Sequence, residues 1–213
     1  MNNKGKEIKL SNTITTKGNI LIAGSNKDQL VDKMLKSLKD VKLTYISLKP
    51  PYNSKFEDNK ASFDLETLTD YLEELKIKLL ERLNSKDFHE DYKNHKLTSN
   101  VIVIDNLDFG LTLHANEYKF LTDFFDILDA ILTISIEADT LIIIAINNVI
   151  KNTSIRYSTT RQINNHIHVG NIASELDSNA FFEQNVQNVR LSDGLAFYKN
   201  MTGINNSVQI FKF

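Results

Sequence analysis

The chain of 213 residues contains no cysteine, and that single absence excludes a disulfide framework, a thiolate zinc site and a cysteine nucleophile. It is compatible with a reducing compartment. The first residues, Met1 to Leu10, are polar and lysine-bearing, without the apolar stretch that a secretory signal requires. Long hydrophobic runs are missing too: the most apolar one, Leu141 to Ile146, is far too short to cross a bilayer. Nor is positive charge in excess. Lys and Arg total 25 against 27 Asp and Glu, a formal net charge of -2, whereas binding dominated by nucleic-acid phosphates needs clustered cations. No G-x-S-x-G elbow marks a hydrolase, and no H-E-x-x-H helix marks a zinc enzyme. These exclusions lead us to expect a soluble domain with no direct membrane insertion, no metal of its own and no nucleic-acid partner. They leave room for its being one domain of a longer, membrane-anchored protein.

What is present reads as an alternation of strands and helices. With 41% hydrophobic and 24% charged residues, composition is that of an ordinary globular domain. Residues 1–213 fit one unit that can bury a core. Asn19 to Ala23 form a short apolar run stopped by Gly24, a buried strand. Leu30, Met34, Leu35 and Leu38 then recur at helical spacing within Lys27 to Leu38. Val41, Leu43 and Tyr45 alternate in a second strand, halted by Pro50-Pro51. Ser62 or Asp64 can cap a long helix whose stripe is Leu65, Leu68, Leu72, Leu75, Leu79 and Leu83.

After a polar link through His89 and His95, Val101 to Ile104 make a fully apolar strand closed by Asp105. Asn116 or Glu117 opens a helix burying Phe120, Leu121, Phe124, Phe125, Leu128, Ile131 and Leu132, with Asp123, Asp126 and Asp129 on a solvated face. Leu141 to Ile146 is the next strand, ending at Asn147-Asn148. Beyond it the periodicity fades into a strand around Ile163, Ile167 and Val169, a short helix at Ala180 to Phe182, and late strands at Leu195 to Tyr198 and Val208 to Phe213. Doubly buried strands joined by helices imply a mostly parallel sheet between two helical layers.

In such sheets ligands bind beyond the carboxyl ends of the strands, here at Gly24, Asp105 and Asn147. Apolar strand, glycine, helix is the frame of a Walker A loop, and four apolar residues ending in aspartate is that of a Walker B strand. The order of the two frames, with a long helix between them, points to a RecA-like P-loop NTPase fold, an α/β/α sandwich of three layers.

On these segments the chain resembles the FtsK/SpoIIIE-type ATPases, and within them the C-terminal ATPase-like domain of type VII secretion coupling proteins (the EssC/EccC family). Asn19 to Gly24 look like the first strand and loop, Val101 to Asp108 like the Walker B region, Leu141 to Asn147 like the following strand, and Val189 to Phe197 like the terminal hairpin. The resemblance implies ATP and magnesium as the family's cofactors, cytoplasmic placement, a membrane-anchored parent with neighbouring ATPase domains, ring assembly through that parent, and small helical secreted proteins as clients.

The chain departs from the family where chemistry would occur. Counted from Gly24, G-x-x-x-x-G-K-[ST] needs Gly, Lys and Ser or Thr, and the chain has Gln29, Leu30 and Val31. The glycine lets backbone N–H groups face the phosphates, the lysine neutralises them, and the hydroxyl holds magnesium. Each charge-assisted contact is worth about 1.5 to 3 kcal/mol, so losing two weakens nucleotide binding by roughly two to four powers of ten.

Lys27 has two readings, a phosphate ligand inside the loop or a solvated lysine at a helix start, and the second is the expectation. Asp105 stands either where an acid would direct magnesium or as a structural cap. Asn106 replaces the glutamate that would activate water, and an amide takes no proton at neutral pH. We therefore expect a vestigial nucleotide pocket of Gly24, Ser25, Lys27, Asp105, Asn106 and Asn147, without a catalytic residue or bound cofactor.

Other groups have milder readings. Arg156, Arg161 and Arg190 could face a neighbour's nucleotide, but surface or interface pairing is the expectation. His166 and His168 project from one strand face, where a zinc pair would need further ligands. Ser154, Ser158, Thr159 and Thr160 read as a hydroxyl-rich loop, and Phe181, Phe182, Phe211 and Phe213 as core.

Overall fold

A computed structural model of the chain describes residues 18–38, 41–93, 100–147, 155–172, 175–186, 189–202 and 207–213. Strand β1 (Ile20–Ala23) runs into helix α1 (Lys27–Ser37), followed by β2 (Lys42–Ser47), the hairpin β3 (Asn53–Glu57) and β4 (Lys60–Ser62), and helices α2 (Leu65–Asn84) and α3 (Lys86–Lys93). Next come β5 (Asn100–Asp105), α4 (Leu107–Leu113), α5 (Tyr118–Ser135) and β6 (Thr140–Ile146). The remainder is α6 (Tyr157–Gln162), β7 (Asn165–Val169), α7 (Glu175–Phe182), β8 (Leu195–Asn200) and β9 (Gln209–Lys212). The strands form one sheet in the order β3-β4-β2-β5-β6-β1-β7-β8-β9. From β4 to β7 every pairing is parallel, and β3, β8 and β9 add antiparallel edges.

Alternation along the central strands sorts the core into two layers. Leu21, Ile102, Ile104, Ile142, Ile144 and Ile146 face α2 and α5, whose buried stripes Leu65, Leu68, Leu72 and Leu79 and Phe124, Leu128 and Ile131 pack together on that side. Ile20, Ile22, Val101, Val103 and Ile143 face α1 through Leu30, Val31 and Met34. This is the three-layer α/β/α arrangement expected. Asp64 caps α2, its carboxylate accepting the Thr67 N–H at 2.8 Å, which satisfies one of the orphan donors of the first turn.

The hairpin β3–β4 and the helices α3, α4 and α6 are additions that periodicity did not announce. The hairpin turns on Asp58 and Asn59 at φ 48° and 65°, left-handed positions that Asp and Asn tolerate. His89 falls in α3 rather than in a link, while His95 lies outside the described residues. The hydroxyl-rich stretch is α6, not a loop: Thr159 is fully buried, Thr160 bonds back to the Tyr157 carbonyl, and Ser154 lies outside the described residues. Among the described residues, no helix is long and apolar enough to cross a membrane.

Candidate functional site

At the carboxyl ends of β1, β2, β5 and β6 the chain assembles its polar network. Parity puts Asp105 on the same face as Val101 and Val103, the face covered by α1, so its carboxylate meets the start of that helix. Lys27 Nζ lies 2.5 Å from Asp105 Oδ1, and both residues are buried. The expected solvated lysine is therefore corrected: Lys27 is only 1% exposed. Its ammonium also touches Asp28 Oδ1 at 2.8 Å. Burial works to lower the Lys27 pKa, but the hydrogen bonds and charges of Asp105 and Asp28 outweigh it and hold it above the usual lysine value.

Three further donors converge on Asp105. Tyr45 donates its hydroxyl to Oδ2 at 2.6 Å, the Asn106 side-chain amide donates to Oδ2 at 2.9 Å, and the Asn106 backbone N–H donates to Oδ1 at 2.8 Å. Burial, then the adjacent Asp105 charge, holds the Tyr45 phenol well above its ordinary range. Asp105 is thus at once the ion partner of Lys27, a pairing the sequence did not announce, and the acceptor of the turn into α4.

Asn106 adopts a left-handed conformation, φ 57°, ahead of α4, a region that asparagine visits more readily than most residues. Its side-chain oxygen accepts from the Asn147 amide at 3.0 Å, and its nitrogen donates to Ser47 Oγ at 3.3 Å. Asp108, 5% exposed, accepts the Asn147 backbone N–H at 3.0 Å and its side-chain amide at 3.3 Å. The structure therefore brings Lys27, Asp105, Asn106 and Asn147 into one network and adds Tyr45, Ser47 and Asp108. Asp108 was visible as a second acid three residues after Asp105. Tyr45 and Ser47 gave no signal until the register set β2 beside β5.

The first loop is short. The Lys27 N–H donates to the Gly24 carbonyl at 3.2 Å, so Gly24, Ser25, Asn26 and Lys27 make one tight turn directly into α1. Gly24 sits at φ 115°, and a β-carbon there would lie 2.0 Å from the Val169 carbonyl oxygen. Only glycine permits this approach of the loop to the end of β7. Leu30 and Val31, which motif counting placed at the lysine and hydroxyl positions, are on the buried face of α1.

No protein-family model matches the chain, and no curated protein matches it. Solved structures do. The conjugation coupling protein TcpA of pCW3, a monomer form with ATPγS, superposes with a TM-score of 0.67 at 16% identity over 92% of this chain and 61% of its own. The fold is that of a P-loop NTPase. The cytoplasmic domain of the type VII secretion ATPase EccC from Thermomonospora curvata has a TM-score of 0.66 at 14% identity, covering 92% of this chain and 25% of that one. EssC (ATPases 2 and 3) from Geobacillus thermodenitrificans gives 0.60 at 15%, covering 92% and 40%. The chain thus spans less than two thirds of each of these proteins, and at such identities the likeness establishes the P-loop NTPase fold.

The remaining groups, Arg190 apart, make contacts within the chain. Arg156 donates to Asp126 at 2.6 Å and lies over the Phe125 ring at 5.7 Å, so two of the acids read as a solvated face, Asp126 and Asp129, engage an arginine of the same chain. Arg161 approaches Glu183 at 3.8 Å, and Arg190 is exposed. His166 places Nδ1 2.6 Å from the Phe181 carbonyl and Nε2 3.1 Å from that of Thr160. Phe181, Phe182 and Phe211 are core, and Phe213 packs on it half-buried.

Proposed function

We propose that this chain is a non-hydrolysing P-loop ATPase-like domain of a type VII secretion coupling protein, contributing to the recognition and recruitment of secreted substrates. The observation that carries this reading is the buried Lys27–Asp105 pair. The cation that would meet a terminal phosphate and the acid that would direct magnesium neutralise each other inside the domain. Magnesium nucleotide does not fit the residues present. The carboxylate is already served by four donors. Asp28, not a hydroxyl, follows the lysine; Asn106, not a carboxylate, follows the acid; and the loop is too tight to wrap phosphates.

The fold likeness to EccC and EssC supports placing the domain beside neighbouring ATPase domains in a membrane-anchored parent that assembles as a ring, on the cytoplasmic side. One EccC structure of this fold, ATPases 2 and 3, was solved in complex with a signal sequence peptide. That supports secreted proteins as the partners here, and the family resemblance adds the expectation that they are small and helical. Calorimetric titration of the domain with magnesium and ATP tests the reading: no heat of binding is expected up to millimolar ligand. Micromolar binding that disappears in Lys27→Ala or Asp105→Ala overturns it. Pull-down from cytoplasmic extract is expected to enrich small helical exported proteins.

A second reading, an NTPase with an atypical P-loop that drives translocation, is favoured by one observation. Lys27 occupies the first turn of the helix that leaves β1, the end of a helix from which a cation and backbone N–H groups can both meet phosphate. Turnover of ATP that vanishes on replacing Asp105 would establish it.

A further inference from the structure

We propose that Asp28 is the residue that keeps phosphate-bearing ligands out of this site, an internal anion standing where a bound one would stand. The inference rests on the reading of the site as nucleotide-free and adds to its causes one exposed residue that repels the anion. The Lys27 side chain is 1% exposed and its ammonium has a carboxylate on each side, Asp105 at 2.5 Å within the sheet and Asp28 at 2.8 Å at the surface, where the Asp28 side chain is 78% exposed. An anion arriving from solvent must displace Asp28 to reach that ammonium. It also meets an unfavourable charge, because one cation is set against two carboxylates at the point of contact.

Asp28 lies in the first turn of α1, where a negative side chain complements the partial positive charge of the helix end. It thereby claims the second feature that would attract phosphate. Asp32, one turn further, adds its charge on the same side, as the influence of both acids on the Tyr45 phenol records. A hydroxyl at position 28 would donate to an oxyanion, whereas a carboxylate can only repel it. Removing one like charge at contact distance corresponds to about tenfold to a hundredfold in affinity for a polyanion. Because Asp28 is exposed, it can be replaced without leaving a buried charge unpaired, which is not true of Lys27 or Asp105.

The test titrates the wild-type domain, Asp28→Ser and Asp28→Asn with inorganic pyrophosphate and separately with magnesium and ATP. Calorimetry reads affinity, backbone amide shifts locate the ligand, and thermal melting verifies the fold. The expected result is at least tenfold tighter pyrophosphate binding in both variants, with shifts centred on residues 24 to 28 and the serine variant the tighter. Folded variants that bind no better than wild type, or that bind only at surface lysines elsewhere, overturn the inference while leaving the nucleotide-free reading intact. Tight binding of ATP by the wild type overturns that reading instead. A variant that fails to fold also overturns the inference, since Asp28 would then be structural.

Discussion

Tyr45 on β2 and Asp105 on β5 meet at 2.6 Å although they are not register partners; Ser47 is the residue paired with Asp105. The phenol therefore lies along the sheet surface, under α1, and shares with the Asn106 side-chain amide the carboxylate oxygen that neither Lys27 nor the Asn106 backbone reaches. A hydrogen bond to a charged acceptor contributes about 1.5 to 3 kcal/mol. Tyr45→Phe is expected to lose an amount in this range, read as a shift of the urea midpoint at unchanged slope. A loss below about 0.5 kcal/mol would mean that the other three donors hold Asp105 unaided.

Lys27→Met should cost more, because it strips a buried carboxylate of its counter-charge. Breaking such a pair from one side typically costs about 3 to 5 kcal/mol, whereas replacing both members by neutral groups of similar volume is far milder. The double variant Lys27→Met with Asp105→Asn is therefore expected to be more stable than Lys27→Met alone. Chemical denaturation of the four-member cycle measures this. Simple additivity of the two single losses would show that the pair contributes no coupling.

The fold was legible in the sequence because apolar periodicity is an averaged signal. Leu65 to Leu79 and Val101 to Ile104 declare a helix and a strand whatever their loops do. The site was half legible. Asp105, Asn106 and Asn147 follow directly from apolar strands, so their position at the carboxyl ends of the strands could be read. Lys27 could not be placed by counting, since a motif has a fixed spacing and this loop is a single turn; the count ran past the helix start and landed on Leu30, whose role in the buried stripe of α1 was already plain. Tyr45 and Ser47 depend on the β2–β5 register, a long-range pairing that no local pattern carries.

Gly24→Ala tests how tightly the loop is built. The added methyl carries two penalties, the left-handed φ of 115° and a contact of 2.0 Å with the Val169 carbonyl oxygen. Backbone strain of about 1 to 3 kcal/mol and overpacking of a similar size lead to an expected loss of about 3 kcal/mol or more. Thermal or urea unfolding reads it directly. Gly170→Ala is the control: it shares a positive φ, but its nearest neighbour, Ser25 Oγ, is 3.9 Å away. Only the strain should appear there. Equal losses at both positions would mean that β7 moves aside and that the loop is not locked.

His168 is expected to make the domain sensitive to acid. Burial, opposed only partly by the Gly170 carbonyl that its ring faces at 3.1 Å, pushes its pKa down to about 4 from an ordinary value of 6.5. The folded state therefore holds this imidazole neutral where the unfolded chain would protonate it. Stability from this residue is fully present above about pH 6.5 and is lost as pH falls towards 4, because the unfolded state binds the extra proton throughout that window. The difference amounts to roughly 3 kcal/mol at most, at about 1.36 kcal/mol for each unit of pKa. His166, also lowered by burial, acts in the same direction. Unfolding free energies measured between pH 7.5 and 4 should decline for the wild type and decline less for His168→Phe, which keeps a ring against Phe181 without a titrating nitrogen. Parallel curves for the two proteins would place the acid sensitivity elsewhere.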